Sequence, residues 1–268
     1  MKKIPYRLAL LTTVASLFFV NANLFASETD DRIESSAKQS YVFKNYLKGD
    51  TINVISKDGA VTLTGTVSED SHKLLAAETV VGQPGVKTLD NQLQVQGEIL
   101  SLNADAWLSV KVKSTLMFYR SLSDTEISVL AKEGTVTLRG EATSTAQKDL
   151  ATEYAKDIDG VSEVKNEMTV APAAKKPGEK TMGERVEALS ESMDDASITA
   201  LVKATLLYHR STSALTTAVE TKEGMVTLNG KAGNVAEKDL ATKYVSDVHG
   251  VKAVVNRMII AGPKPKNI

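Results

Sequence analysis

The chain contains no cysteine, which removes disulfides, thiolate zinc sites, iron–sulfur clusters and cysteine nucleophiles together. Its three histidines, His72, His209 and His249, stand far apart, too sparse for a histidine-rich metal site or a proton relay. Aromatic residues make up only 5%, so a stacking platform for single-stranded nucleic acid is poorly supplied. A basic excess is missing as well. Against 33 Asp and Glu stand 32 Lys and Arg, which is not the balance of a generic nucleic-acid binder. There is no Gly-x-Ser-x-Gly elbow, phosphate loop, His-Glu-x-x-His or calcium-loop pattern; each of those spacings carries a specific chemistry. The expectation is a protein that is not an enzyme and uses no metal or cofactor. What remains, 42% hydrophobic and 24% charged over 268 residues, is ordinary globular composition.

The first 26 residues read as a secretory signal. Lys2, Lys3 and Arg7 form a basic head, and Leu8 to Val20 is an uncharged, mostly apolar run too short to span a bilayer as a stable helix. Small residues follow, with cleavage after Ala22 or Ala26 expected. Removal takes away three cations and no acid, leaving an acidic mature chain. The predicted product is periplasmic, exported and soluble, with no transmembrane span; without cysteine it cannot be a lipoprotein.

The remainder is one unit written three times. Gly59-Ala-Val-Thr-Leu-Thr-Gly65, Gly134-Thr-Val-Thr-Leu-Arg-Gly140 and Gly224-Met-Val-Thr-Leu-Asn-Gly230 align, as do the runs from Gly85, Gly160 and Gly250 to Asn91, Asn166 and Asn256. Two landmarks keeping one offset across three copies establish repetition. The expected units are 31–95, 102–170 and 193–260, with a linker at 171–192 whose end, 182–192, has room for an extra helical turn or two. Each opens with a helix, clearest at Ala104–Phe118 and Ala196–Tyr208, where Leu108, Val112 and Leu116, or Ile198, Val202 and Leu206, recur every four residues. Asp105 and Asp194/Asp195 lie near the helix starts, where carboxylates suit the dipole. Two strands follow around Lys57-Asp58-Gly59, Lys132-Glu133-Gly134 and Lys222-Glu223-Gly224, an acid-glycine hairpin signal. The second strand buries Val61/Leu63, Val136/Leu138 and Val226/Leu228 on one face. A second helix, with Asn234 and Glu237 at capping-box spacing, ends at Gly85, Gly160 or Gly250, where a left-handed residue fits. A last strand closes the unit. The predicted class is α+β: three tandem helix–strand–strand–helix–strand units, each a small three-stranded mixed sheet with two helices. Gly65, Gly140 and Gly230 interrupt strands, pointing to a bulge, a close helix approach or a ligand-contacting backbone. Units this small are marginal alone, so at least one pair is expected to pack together.

The turn glycine, Val-Thr-Leu-x-Gly, and Gly-Val-x-x-Val-x-Asn resemble the BON module of bacterial osmotically induced and nodulation proteins. Units two and three match throughout. Unit one departs, with Leu89 at the second valine and Gln83-Pro84 expected to shorten its second helix. The resemblance implies an envelope location and association with phospholipid membranes or other envelope components, without catalysis. Asp58, Glu133 and Glu223 lie on separate units and cannot form an acid/base pair.

Three windows carry no acid: Ser36–Gly49, Ala106–Ser123 and Ala196–Val219. They hold Lys38, Lys44, Lys48, Lys111, Lys113, Arg120, Lys203 and Arg210, and end in Phe43-Lys44-Asn-Tyr46, Met117-Phe118-Tyr119-Arg120 and Leu207-Tyr208-His209-Arg210. Cations beside aromatic bodies suit the interface of an anionic bilayer. They equally suit a helix C-terminus whose aromatics enter the core. The expected partner is an anionic phospholipid surface, bound peripherally through Trp107, Lys111, Lys113, Phe118, Tyr119, Arg120, Lys203, Tyr208, His209 and Arg210. Trp107 reads either as an interfacial anchor or as a plug between units. The alternative partner is a client envelope protein, held as by a periplasmic chaperone or scaffold on the same face or on open sheet edges.

Overall fold

The computed structural model describes residues 28–96, 104–122, 125–171, 193–212 and 216–261. The signal segment and the 171–192 linker, with the helical turns expected at 182–192, fall almost wholly outside these residues. Unit one comprises α1 (28–39), α2 (Tyr41–Asn45), β1 (Thr51–Lys57), β2 (Ala60–Val67), α3 (Asp70–Val81), β3 (Thr88–Asn91) and β4 (Gln94–Val95). Unit two comprises α4 (Ala104–Met117), β5 (Ile127–Lys132), β6 (Thr135–Ala142), α5 (Thr145–Asp157), β7 (Glu163–Asn166) and β8 (Thr169–Val170). Unit three comprises α6 (Asp195–Tyr208), β9 (Thr216–Lys222), β10 (Met225–Ala232), α7 (Val235–Ser246), β11 (Ala253–Asn256) and β12 (Ile259–Ile260).

Each sheet is mixed. The first two strands pair antiparallel, Val54 opposite Leu63 and Val129 opposite Leu138, and the closing strands run parallel to the second. The third position of each sheet is two short strands in line, because an asparagine breaks it. Asn166 Oδ1 accepts from the Met168 amide at 3.0 Å, and its Nδ2 donates to the Lys148 carbonyl and Thr152 Oγ1 of α5. Asn256 and Asn91 hold the same posts. One side chain thus satisfies groups the kink leaves open and ties the sheet edge to a helix.

The hairpin turns have left-handed residues at both centres, Asp58 (φ 55°) then Gly59 (φ 82°), with the same pattern at Glu133-Gly134 and Glu223-Gly224. These are the primed turns that match strand twist. The first-helix acids serve them. Asp30 accepts from the Asp58 and Gly59 amides at 2.7 and 2.9 Å, Asp195 from Glu223 and Gly224, and Asp105 from Glu133. Asp105 and Asp195 lie in the first turns of α4 and α6, where their charge suits the dipole, and Asp194 caps α6 through the Ser197 amide.

Two expectations change. Gly65 and Gly140 sit where a Cβ would lie 2.0 Å from the carbonyl oxygen of Thr51 or Glu126, so the close approach is the partner strand's backbone rather than a helix. Gln83-Pro84 does not shorten the second helix of unit one: α3 has 12 residues, as many as α7. Pro84 lies beyond the helix end, where it removes no helical hydrogen bond.

The units share their interiors. One apolar cluster runs from Leu75, Ala76 and Val80 of α3 through Leu201 and Val202 of α6 to Val226 and Leu228 of β10, and takes in Phe118 of unit two. Units one and three, first and last in the chain, thereby have one continuous core. A second cluster fills unit two and includes Tyr244 of unit three.

Candidate functional site

The loops that follow the first helices of units two and three meet each other reciprocally. Arg120 N–H donates to the Asp247 carbonyl and Arg210 N–H to the Asp157 carbonyl; His249 N–H donates to Phe118 and Asp159 N–H to Tyr208. Ser121 and Tyr154 hydroxyls donate to the Asp247 carboxylate at 2.6 and 2.8 Å, and Ser211 and Tyr244 hydroxyls to Asp157 at 2.6 and 2.9 Å. Every pair is repeated by its counterpart in the other unit, so the seam has approximate two-fold symmetry like an isologous dimer interface. Two ring stacks line it, Tyr119 on Tyr154 and His209 on Tyr244, with centroids 3.9 and 4.2 Å apart.

This seam decides the fate of several lipid-binding candidates. Phe118 (1% exposed), Tyr119 and His209 (both 0%) and Lys111 (6%) are buried. Lys111 Nζ donates to the Asp159 carbonyl at 2.8 Å and stands over the Trp107 ring at 4.8 Å. Arg120 pairs with Asp247, Arg210 donates to the Lys156 carbonyl, and Lys203 donates to Glu78 at 2.6 Å. Tyr208 is half-buried, its ring 5.6 Å from Lys111 Nζ. These ten side chains therefore do not share one exposed face. Trp107 (37% exposed) and Lys113 retain a solvent face. The reason is size: each unit is too small to bury enough apolar surface alone, so aromatics that look interfacial in sequence are consumed between units. Trp107 also reaches inward, since it lines a small cleft with Glu69, Val110, Lys111 and Tyr208 where the three units meet.

What the structure does gather is the exposed part of the first two acid-free windows. A groove of about 490 Å³ runs between units one and two, lined by Asn45, Tyr46, Lys48 and Asp50 on one side and Val110, Lys113, Met117 and Phe118 on the other. Met117 is 52% exposed. Lys48 and Lys113 are exposed and hold no ion pair or hydrogen bond among the described residues. The groove's carboxylates are engaged. Asp50 Oδ2 lies 2.6 Å from His72 Nδ1, and Glu69 takes His72 Nε2 at 3.0 Å and the Ser114 hydroxyl of unit two at 2.9 Å. Burial opposes the charged ring, but the Glu69 hydrogen bond and charge, together with Asp50, outweigh it and raise the His72 pKa. The imidazolium so favoured offsets carboxylate charge at the groove's end. Tyr46 fixes the walls to each other, its hydroxyl donating to the Met117 carbonyl at 3.2 Å and its ring meeting Phe118 edge-on.

Sequence reasoning missed Asp157, Asp247, Tyr154 and Tyr244 as seam residues. The signal was there: Tyr-x-x-Asp closes the second helix of units two and three, while unit one has Thr79 and Gly82. His72 carried no such signal, because Asp50 lies 22 residues before it, outside the α3 helix that carries His72 and its N-cap Glu69.

Among the described residues no cluster of His, Cys, Asp and Glu could hold a metal ion, and no helix is long and apolar enough to cross a membrane. Fold and site together define a protein of three tandem α+β modules whose distinguishing features lie between modules. The chain belongs to the BON domain family, whose model matches residues 29–97, 104–172 and 194–262. It is 28% identical to the osmotically-inducible protein Y of Escherichia coli over 197 residues, 74% of this chain and 91% of that protein. It is 31% identical to the outer membrane lipoprotein DolP of Haemophilus influenzae and 32% to a 21 kDa hemolysin of Actinobacillus pleuropneumoniae. Each match covers 42% of this chain and 59% of the relative.

Proposed function

We propose that this is a non-enzymatic periplasmic protein that docks peripherally on anionic phospholipid surfaces and supports envelope integrity under osmotic or related stress. The observation that carries the reading is the convergence, from two different units, of Lys48 and Lys113, unpartnered among the described residues, beside exposed Met117. Cations over an apolar body suit a bilayer interface, and each contributes about 1 kcal/mol beside anionic lipid. The osmotic induction named for one relative and the outer-membrane association named for another support the compartment.

Flotation with phosphatidylcholine vesicles, with and without phosphatidylglycerol, tests it across a salt series. The expected result is binding that requires the anionic lipid, falls with salt, and is weakened by charge reversal at Lys48 and Lys113. Lys111 is unsuitable for that test, because reversing it breaks a buried contact. Binding indifferent to lipid charge defeats the reading.

A second reading, a chaperone for client envelope proteins, is favoured by Ile259 (60% exposed) and Ile260 (42%) on the closing edge strand β12, since an apolar open edge accepts a partner strand. In units one and two the opposite edges are guarded. The Ser56 amide donates to Glu34 and the Ala131 amide to Ser109 Oγ. Holding an unfolded outer-membrane protein soluble, without lipid binding, decides for this reading.

A further inference from the structure

We infer that the groove between units one and two seats a single-tailed anionic amphiphile as a monomer, its tail against Val110 and Met117 and its charged head between Lys48 and Lys113. This rests on the docking reading for its lysines, and goes beyond it by assigning a saturable site in place of a surface. Four observations carry it. The cleft, about 490 Å³, falls within the span of small-molecule sites. One wall presents apolar surface from Val110 and half-exposed Met117, which no described residue covers, while Ser68, Glu69, His72 and Ser114 line the polar end. Its two unpartnered cations come from different units and face one opening, while Asp50 and Glu69 are turned to His72 and Ser114. A head needing two cations and a tail needing an apolar wall are thus both answered in one place. Neither unit alone contains that place, since Tyr46 and Lys48 belong to one and Met117 and Lys113 to the other.

The occupant's chemistry follows from the charge arrangement. Two lysines without a neighbouring free carboxylate select a phosphate- or carboxylate-headed molecule over a zwitterion. A bare anion lacks the tail that the apolar wall recognises.

The test uses the mature full-length chain with lysophosphatidylglycerol below its micellar concentration. It is followed by calorimetry and by emission of Trp107, the sole tryptophan, which shares Val110 and Glu69 with the groove. The inference expects saturable one-to-one binding, at least tenfold weaker binding of lysophosphatidylcholine, and no competition from inorganic phosphate. Lys48→Gln with Lys113→Gln should lose about 30-fold, the equivalent of two lysine–headgroup contacts. Both side chains are exposed and unpartnered, so folding should be unchanged. Met117→Asp should weaken binding while leaving the chain folded. Equal affinity for the choline lipid, displacement by phosphate alone, an unaffected double variant, or absence of both heat and emission change each overturns the inference. Vesicle flotation without monomer binding removes the groove site and leaves surface docking standing; monomer binding without flotation does the reverse.

Discussion

Tyr119 of unit two and His209 of unit three occupy equivalent positions 90 residues apart, and they touch, with the phenol oxygen 2.5 Å from Nε2. The approximate symmetry of the seam is broken at its centre, where one unit supplies a phenol and the other an imidazole. His209 Nδ1 lies 3.4 Å from Asp157 and makes no hydrogen bond of its own. Burial holds the ring below its ordinary pKa, outweighing Asp157, and Lys111 pushes the same way. The ring is therefore neutral at pH 7.

A neutral buried histidine makes the seam acid-sensitive. Its folded pKa lies below the unfolded value of about 6.5, so the unfolded chain binds the extra proton and stability falls as pH drops through about 6.5. Urea unfolding at pH 8 and pH 5.5 should show this loss, and His209→Phe should reduce it. An unaltered pH dependence in His209→Phe would place the acid sensitivity elsewhere.

His72 should act with the opposite sign. Its folded pKa is raised, so its stabilisation is complete below about 6.5 and is lost as pH rises through the folded value. A His72→Gln variant is expected to be destabilised most at pH 6 and less at pH 8. Measuring both variants separates the two histidines, since their trends oppose.

Asp157 and Asp247 should cost about the same. Each carboxylate accepts one serine and one tyrosine hydroxyl across the seam. The hydrogen bonds and His209 hold the Asp157 pKa at about 2 despite burial. Alanine at either position leaves buried hydroxyls unmet, a loss of roughly 3 kcal/mol. Thermal unfolding checks the equivalence; a threefold difference would mean the symmetry is geometric only.

Gly82→Ala probes the seam between units one and three. Gly82 has φ −72°, open to any residue, but a Cβ would lie 2.8 Å from Ala196 Cβ and 3.1 Å from its Cα. Alanine ordinarily favours a helix over glycine. Here overpacking should dominate and destabilise by about 1–3 kcal/mol. Pairing it with Ala196→Gly should restore most of the loss.

The units themselves were legible because their determinants are local. A 3.6-residue apolar period, an acid-glycine pair and a Val-Thr-Leu strand each act within a few residues, and triplication repeated the signal. Gly65 and Gly140 were legible as special positions but not in purpose, since the oxygen that excludes a side chain belongs to another strand. The candidate site was half legible. Acid-free windows marked where Lys48 and Lys113 stand, yet the same windows marked Lys111, Phe118, Tyr119 and His209, which are buried.

Sequence alone determined the three modules, their strand order and the residues facing each module's sheet, because hydrophobic period and turn chemistry are short-range. Tertiary structure decided how the modules fit: unit one shares its core with unit three, Phe118 leaves its own unit, and Lys113 stays in water while Lys111 does not. Two lysines one helical half-turn apart read alike along the chain. Only the neighbouring module, arriving from a distant stretch of sequence, distinguishes a side chain that must be satisfied inside from one left to meet a ligand.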